Sequence, residues 1–341
     1  MNPLQQAIRR LADGESLSSI EAAAAFDVVM AGDGTPVQVA ALLTALRVKG
    51  ETPEEIAGAA RALRNAMRPV TLDALEHVVD TCGTGGGQVG TLNVSTGAAF
   101  IVAGAGVPVA KHGNRSFTSR SGSADVLEAL GVRVELEPHD VPRVLAEAGL
   151  AFLFAPGFHP AMRHAAPVRR ELAMTTIMNL LGPLANPAGV LRQVLGVADR
   201  RRAPLLAEAL RQLGCRHALV VHADVGMDEV SPEGCTHVWE VTSAGVQDWR
   251  LDPRELGVAG GGLGALAGGE PADNAARLEA ILAGEEAGAA RDALLLNAAA
   301  ALYVSGRGWS LAQAMDEARR SLDSGAARRS LERLRRAAPK P

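Results

Sequence analysis

The sequence predicts an α/β protein in two parts, a small all-helical domain followed by a larger domain built on a mostly parallel central sheet. Three observations lead there. The first 70 residues keep a helical period with explicit start and stop signals, and from about residue 75 short β-type runs alternate with Ala-rich helical segments, the pattern of a parallel sheet covered by helices. Composition is the third: of 341 residues, 48% are hydrophobic but only 3% aromatic. The core is therefore made of Ala, Leu and Val, which suits close helix–helix and helix–sheet packing.

Taken in order, Ser18 with Glu21 and Thr52 with Glu55 form capping boxes, Pro36 and Pro53 sit at the first helical positions, and Gly50 supplies a stop. The segment "VQVAALLTALRV" has an apolar face that must be covered by its neighbours or by a second copy of the chain. Strands are expected in "EHVVDTC", "VPVAKHG", "HALVVHA" and "THVWEV", and helices in "STGAAFIVAGAG", "SADVLEALG" and "AARDALLLNAAAALYVSG", the last of them buried. Residues 259–269 read as a Gly-rich connector and the tail beyond Ala337 as frayed.

A net charge of −4 leaves no broad basic surface for a nucleic-acid partner. Cys82, Cys215 and Cys235 are odd in number and far apart, which suggests neither a disulfide framework nor a zinc site. Residues 1–30 do not read as a secretory leader, and no apolar run is long enough to span a bilayer. The expectation is a cytoplasmic protein acting on small molecules, with no nucleic-acid or membrane partner.

Three constellations carry chemistry. In "DTCGTGGGQVGTLNVST" five glycines, Gly83, Gly85, Gly86, Gly87 and Gly90, follow a strand and precede Asn93, Ser95 and Thr96 at a helix start. Gly85 to Gly90 satisfies G-x-G-x-x-G, yet no acidic residue occurs between Asp80 and Asp125 to hold a ribose, so the dinucleotide reading fails. Bare backbone N–H groups at a helix start make an anion site. Next comes "AKHGNRSFTSRSGSAD", with Lys111, Arg115 and Arg120 at a second strand end; the readings open here are a polyphosphate site and a solvated basic loop. A diphosphate arrives with magnesium, for which Asp228 and Glu229 in "HADVGMDEVSPEG" offer hard oxygen ligands, unless they are merely a solvated pair. Finally "FHPAMRHAAPVRRELAMTTIMNLLGPLANP" holds His159, Arg163, His164, Arg169 and Arg170 before Gly182 and Pro183. An arginine there either grips a carboxylate or serves the fold.

Together the segments "GTGG", "TLNVST", "VAKHGNRS", "SGSADVLEALG", "HPAMRHAAPVRREL", "NLLGPLANP" and "GMDEVSP" resemble, in order and over nearly the whole chain, the anthranilate phosphoribosyltransferase family. The resemblance implies a nucleoside phosphorylase/phosphoribosyltransferase type of fold, with a helical domain of residues 1–72 plus a mid-chain insertion at about 168–190. Residues 73–167 and 191–341 then form the α/β domain that binds phosphoribosyl pyrophosphate, and the helical domain makes a homodimer. The activity implied is attack of the anthranilate amine on C1 of phosphoribosyl pyrophosphate with release of diphosphate, a step of tryptophan biosynthesis.

By the same resemblance the phosphoribosyl donor is held by Gly83, Gly86, Gly87, Thr91, Asn93, Val94, Ser95, Thr96 and the segment Lys111, His112, Gly113, Asn114, Arg115, Ser116, Phe117, Thr118, Ser119, with Ser123. Anthranilate meets Gly83, Asn114, Arg169 and Pro183. Ser95, Asp228 and Glu229 match the Mg2+ positions, and Lys111 and His112 are the residues placed in catalysis. Two positions depart from the family pattern: Gly87, where an aspartate is usual, and Thr175, where an arginine is. The rival readings are a pyrimidine nucleoside phosphorylase of the same fold and a non-catalytic, nucleic-acid-binding paralogue.

Overall fold

The computed structural model describes residues 1–87, 89–116 and 120–340. Four helices open the chain: α1 (Pro3–Ala12), α2 (Ser19–Ala31), α3 (Pro36–Lys49) and α4 (Pro53–Asn65). Both expected capping boxes are formed, and Asn2 with Gln5 and Thr35 with Gln38 add two more. Each box satisfies orphan N–H groups at a helix start, so the bundle's corners are set locally before any packing. Glu55 is buried as well: its carboxylate accepts from Leu17 N at 2.9 Å and Lys49 Nζ at 3.0 Å, which ties α3 and α4 to the connection between α1 and α2.

Among the described residues, seven strands form one sheet in the order β3-β2-β1-β4-β5-β6-β7. They are β1 (Val79–Gly83), β2 (Val109–Gly113), β3 (Leu150–Phe154), β4 (Arg192–Gly196), β5 (His217–Ala223), β6 (Thr236–Thr242) and β7 (Gly245–Leu251). The first five run parallel, and β6 and β7 close the edge antiparallel. Helix α5 (Val94–Gly104) follows β1, and the short α6 (Ser123–Ala129) follows the loop after β2.

Alternation along the strands divides the interior into two cores. Val194, Leu219 and Val221 face α5 and the buried helix Ala289–Val304, whereas Leu195, Ala218 and Val220 face the other way, into a core shared with α1 to α4. Ala161, Val168, Ile177, Met178 and Leu181 enter that second core. The chain between β3 and β4 thus leaves the sheet to pack with the N-terminal helices and then returns.

Two expectations change. The tail beyond Ala337 is not frayed: Ala338 is buried, its carbonyl accepts from Arg133 N at 2.9 Å, and Pro339 bridges to Val132. The Gly-rich stretch at 259–269 is more than a connector. Thr91 bridges to Ala267, Leu92 N donates to Leu266 O at 2.8 Å, and Gly268 N donates to Gly90 O at 3.1 Å. A β-carbon on Gly268 would sit 2.4 Å from Thr91 O, so only glycine lets this segment back the loop after β1. Among the described residues no helix is long and apolar enough to cross a membrane.

Candidate active site

Strand order reverses between β1 and β4, and in open α/β sheets the crevice at such a point is where ligands bind. Gly83 and Gly196 end these two strands in register. A β-carbon on Gly196 would lie 1.6 Å from the carbonyl oxygen of Asp228, so the loop after β5 crosses directly over the strand end. Left-handed backbone in the first Gly-rich loop occurs at Gly85 and Gly86, with φ of 68° and 80°. Gly87 is not among the left-handed glycines. Its constraint is space, since a β-carbon there would meet Asp228 Oδ1 at 2.5 Å, and a side chain at 87 must displace that carboxylate.

Adjacent residues of β2 point to opposite sides. Lys111, 1% exposed, turns toward α5, where its ammonium donates to Ser95 Oγ at 3.1 Å, to Thr81 Oγ1 at 3.4 Å and, at a shorter distance, to Thr81 O. Burial pulls its pKa down, and the charge of Asp80 opposes that. His112 turns toward the helical side. The Gly182 carbonyl, 3.1 Å from Nδ1, can only accept, so Nδ1 carries the proton and Nε2 accepts from His159 Nε2–H at 3.2 Å. Desolvation pushes His112 down to about 3 and His159 to about 4. Both imidazoles are neutral at physiological pH, and the free lone pair of His112 is already taken.

Behind them lies Asp80, with no solvent exposure. Its carboxylate accepts from His112 N at 3.1 Å and Asn186 Nδ2 at 2.8 Å, while Asn186 also donates to Ala110 O at 2.8 Å. Burial raises the Asp80 pKa, opposed first by the charge of Lys111. From β4, Gln193 donates to Pro183 O at 3.2 Å. The carbonyls of Gly182 and Pro183 are therefore held by side chains from two strands.

On the α5 side, Asp228 and Glu229 share a small cavity of about 10 Å³ with Thr81, Ser95 and Asn297, enough for about one water or ion. Burial raises both carboxyl pKa values, and the charge of Asp228 raises that of Glu229 further. Thr91 Oγ1 donates to Glu229 Oε1 at 3.4 Å, and Glu229 Oε2 is buried with no hydrogen-bond partner among the described residues. Two desolvated carboxylates and a hydroxyl fit a hard cation. No group of three or more His, Cys, Asp or Glu side chains able to hold a metal exists among the described residues. Such an ion would need phosphate oxygens and water for its other positions, as magnesium commonly does.

The remaining sequence-derived positions separate into groups. Val94 contributes only backbone, its side chain being core. Thr96 is buried, its Oγ1 without a partner. Asn93 is spent on structure: Oδ1 accepts from Ser121 Oγ at 3.1 Å and Asn274 Nδ2 at 2.9 Å. Gly113 packs under Ser123, whose Oγ donates to Asn114 O at 3.2 Å. Asp125 holds the loop from outside, accepting from Ser116 N at 3.1 Å and Gly122 N at 2.8 Å. Arg115 makes two bonds to Glu128, at 2.7 and 2.8 Å, so its guanidinium is committed to α6. Phe117, Thr118 and Ser119 lie outside the described residues. Arg169 stands in the last turn of the helix Ala166–Leu172, half-buried, and its guanidinium has no hydrogen bond or ion pair among the described residues; desolvation lowers its pKa. That helix stops at Ala173, with φ of 48° the one non-glycine at positive φ among the described residues.

Sequence reading passed over Asp80, Asn186, Gln193, Gly196 and Asn297. The signal for Asp80, Gln193 and Asn297 was a polar residue inside an apolar run; for Gly196 and Asn186 it was absent.

Residues 5–67 match the helical bundle domain of a glycosyl transferase family, and residues 75–328 its a/b domain. The anthranilate phosphoribosyltransferase of Rubrobacter xylanophilus is 52% identical over 331 residues, 97% of this chain and 96% of its own. Among solved structures, that of the Thermus thermophilus enzyme superposes with a TM-score of 0.92 at 46% identity, covering 99% of each chain. The Saccharomyces cerevisiae enzyme in complex with phosphoribosyl pyrophosphate and magnesium gives 0.89 at 32% identity, covering 98% of this chain and 97% of its own. With likeness of this order along both chains from end to end, the protein belongs to the anthranilate phosphoribosyltransferase family.

Proposed function

We propose that the crevice holds phosphoribosyl pyrophosphate and magnesium on the α5 side of the strand ends and anthranilate on the helical side. The reaction is transfer of the 5-phosphoribosyl group to the amine of anthranilate with release of diphosphate, the second step from chorismate to tryptophan. One observation supports the placement above the rest: among the described residues, an unpartnered basic group lies on the segment packed with the N-terminal helices and an unpartnered acidic oxygen on the α5 side of the sheet. Among the described residues, Arg169 has a half-buried guanidinium with no hydrogen bond or ion pair, and Glu229 Oε2 is a buried carboxyl oxygen with no hydrogen bond. The first matches the carboxylate of anthranilate and the second a cation riding on diphosphate.

Ser95, Asp228 and Glu229 would hold the magnesium, which when bound neutralises charge on the departing diphosphate. Lys111 acts by orienting Ser95 and Thr81, since its ammonium is committed to them. The N–H groups after Gly85 and at the start of α5 face the phosphates. His112 positions the Gly182–Pro183 turn against the flat ring of anthranilate. The arylamine is neutral and attacks without prior deprotonation, so alignment of the two substrates and stabilisation of the leaving group carry the rate.

The protein is further proposed to work in the cytoplasm as a homodimer through its helical part. Supporting this, the exposed large hydrophobic side chains among the described residues, Met1, Ile20, Val37, Val48 and Met174, all lie in residues 1–72 or 168–190. Sedimentation equilibrium should return twice the 35.3 kDa chain mass, and Val37→Lys with Val48→Glu should return one chain; a monomeric parent would end this reading.

Arg169→Ala should raise the KM for anthranilate by a factor corresponding to about 1.5–3 kcal/mol, the range for hydrogen bonds to charged groups, with little change for the phosphoribosyl donor. Equal effects on the two KM values would remove Arg169 from the anthranilate site. Asp228→Asn combined with Glu229→Gln should abolish magnesium-supported turnover. The same variant should melt higher than the parent without divalent cations, because two desolvated like charges no longer share a dry site. Turnover retained at ordinary magnesium would show that the pair does not hold the ion.

A further inference from the structure

The carboxylate pair sits on a loop, yet its oxygens must be placed to within a fraction of an ångström to bind a small cation. A loop crossing a strand end does not hold itself that well. From the buried helix Ala289–Val304, Asn297, 5% exposed, reaches the backbone immediately after Glu229. Its Oδ1 accepts from Val230 N at 3.0 Å, and its Nδ2 donates to Val230 O at 2.8 Å. The second Nδ2 hydrogen goes to Ala293 O at 2.9 Å, one turn back on its own helix. This side-chain amide thus pairs with one residue as a neighbouring strand would, with both hydrogen bonds to the residue next to Glu229. It also lines the cavity that Asp228, Glu229 and Ser95 share.

Helix Ala289–Val304 is the rigid part of this arrangement. It packs against α5, which carries Ser95, so one helix sets the positions of both the loop carboxylates and the hydroxyl opposite them. We propose that Asn297 is a positioning residue for cation binding: it fixes the Asp228–Glu229 backbone against the buried helix and so sets affinity for the divalent ion without touching ion or substrate. This rests on the assignment of Ser95, Asp228 and Glu229 to magnesium.

The test is a Mn2+ titration of the full chain with phosphoribosyl pyrophosphate, read by the electron paramagnetic resonance of free Mn2+, beside the magnesium dependence of the rate. Loss of an outer-shell partner commonly costs about 10–100-fold in metal affinity. Asn297→Ala should weaken Mn2+ binding within that range and shift the magnesium midpoint by the same factor. Saturating magnesium should restore kcat, and the KM for anthranilate should stay at the parent value. Asn297→Gln, which keeps both amide functions on a longer arm, should fall between; should the alanine variant not fold, it carries the same readings. An unchanged Mn2+ affinity would overturn the inference, as would an anthranilate KM that moves as far as the magnesium midpoint. Asp228→Asn with Glu229→Gln separates the two levels. If that variant binds Mn2+ like the parent, the metal assignment itself fails and the role of Asn297 with it; if it loses Mn2+ while Asn297→Ala does not, only the role of Asn297 fails.

Discussion

Everything at the strand ends depends on one buried carboxylate, Asp80. It is fully buried, and its carboxylate accepts from the backbone N–H of His112 and the amide of Asn186, while the nearby charge of Lys111 favours its ionised form. These two hydrogen bonds fix β1 against β2 and against the chain at Asn186. Strand alternation does the rest: with Asp80 fixed, Lys111 can only turn to α5 and His112 only to the helical segment. Two neighbours in sequence thereby face the two sides of the sheet.

This arrangement makes the site electrostatically two-sided. Among the described residues, two carboxyl groups toward α5 are buried with too few partners, and toward the helices the Arg169 guanidinium has no hydrogen bond or ion pair. Each is a cost to the folded chain that a ligand of the opposite charge would relieve. Between them the groups that could exchange protons are locked. His112 and His159 share one hydrogen bond and are neutral, so neither offers a histidine base that titrates in the ordinary range.

The outline was legible because it is written in local chemistry. Capping boxes at Ser18 and Thr52, the strands at 217–223 and 236–242, and the paired carboxylates at 228 and 229 all depend on neighbouring residues in the chain. What escaped depends on distant ones. β3, "LAFLF", is a continuous apolar run that periodicity cannot separate from a buried helix, and β7, "GVQDWRL", is a polar edge strand with one face in water. The buried tail at Ala338 needs Val132 and Arg133, two hundred residues earlier, to hold it. Lys111 and Arg115 were both read as facing phosphate. One is committed to Thr81 and Ser95 and the other to Glu128, and neither partner is near in sequence except through the fold.

The central claim, a site that positions its substrates and neutralises charge without a titrating base, is tested most directly by the pH profile of anthranilate consumption. Fluorescence of anthranilate is followed after the purified protein, magnesium and phosphoribosyl pyrophosphate are mixed. With His112 held to about 3 and His159 to about 4, both are neutral on either side of pH 6.5, the ordinary histidine value. The account predicts a fluorescence decay whose rate is level across that pH, with diphosphate released one for one. A limb centred near the ordinary histidine value that disappears in His112→Asn, or no decay at all, would contradict it.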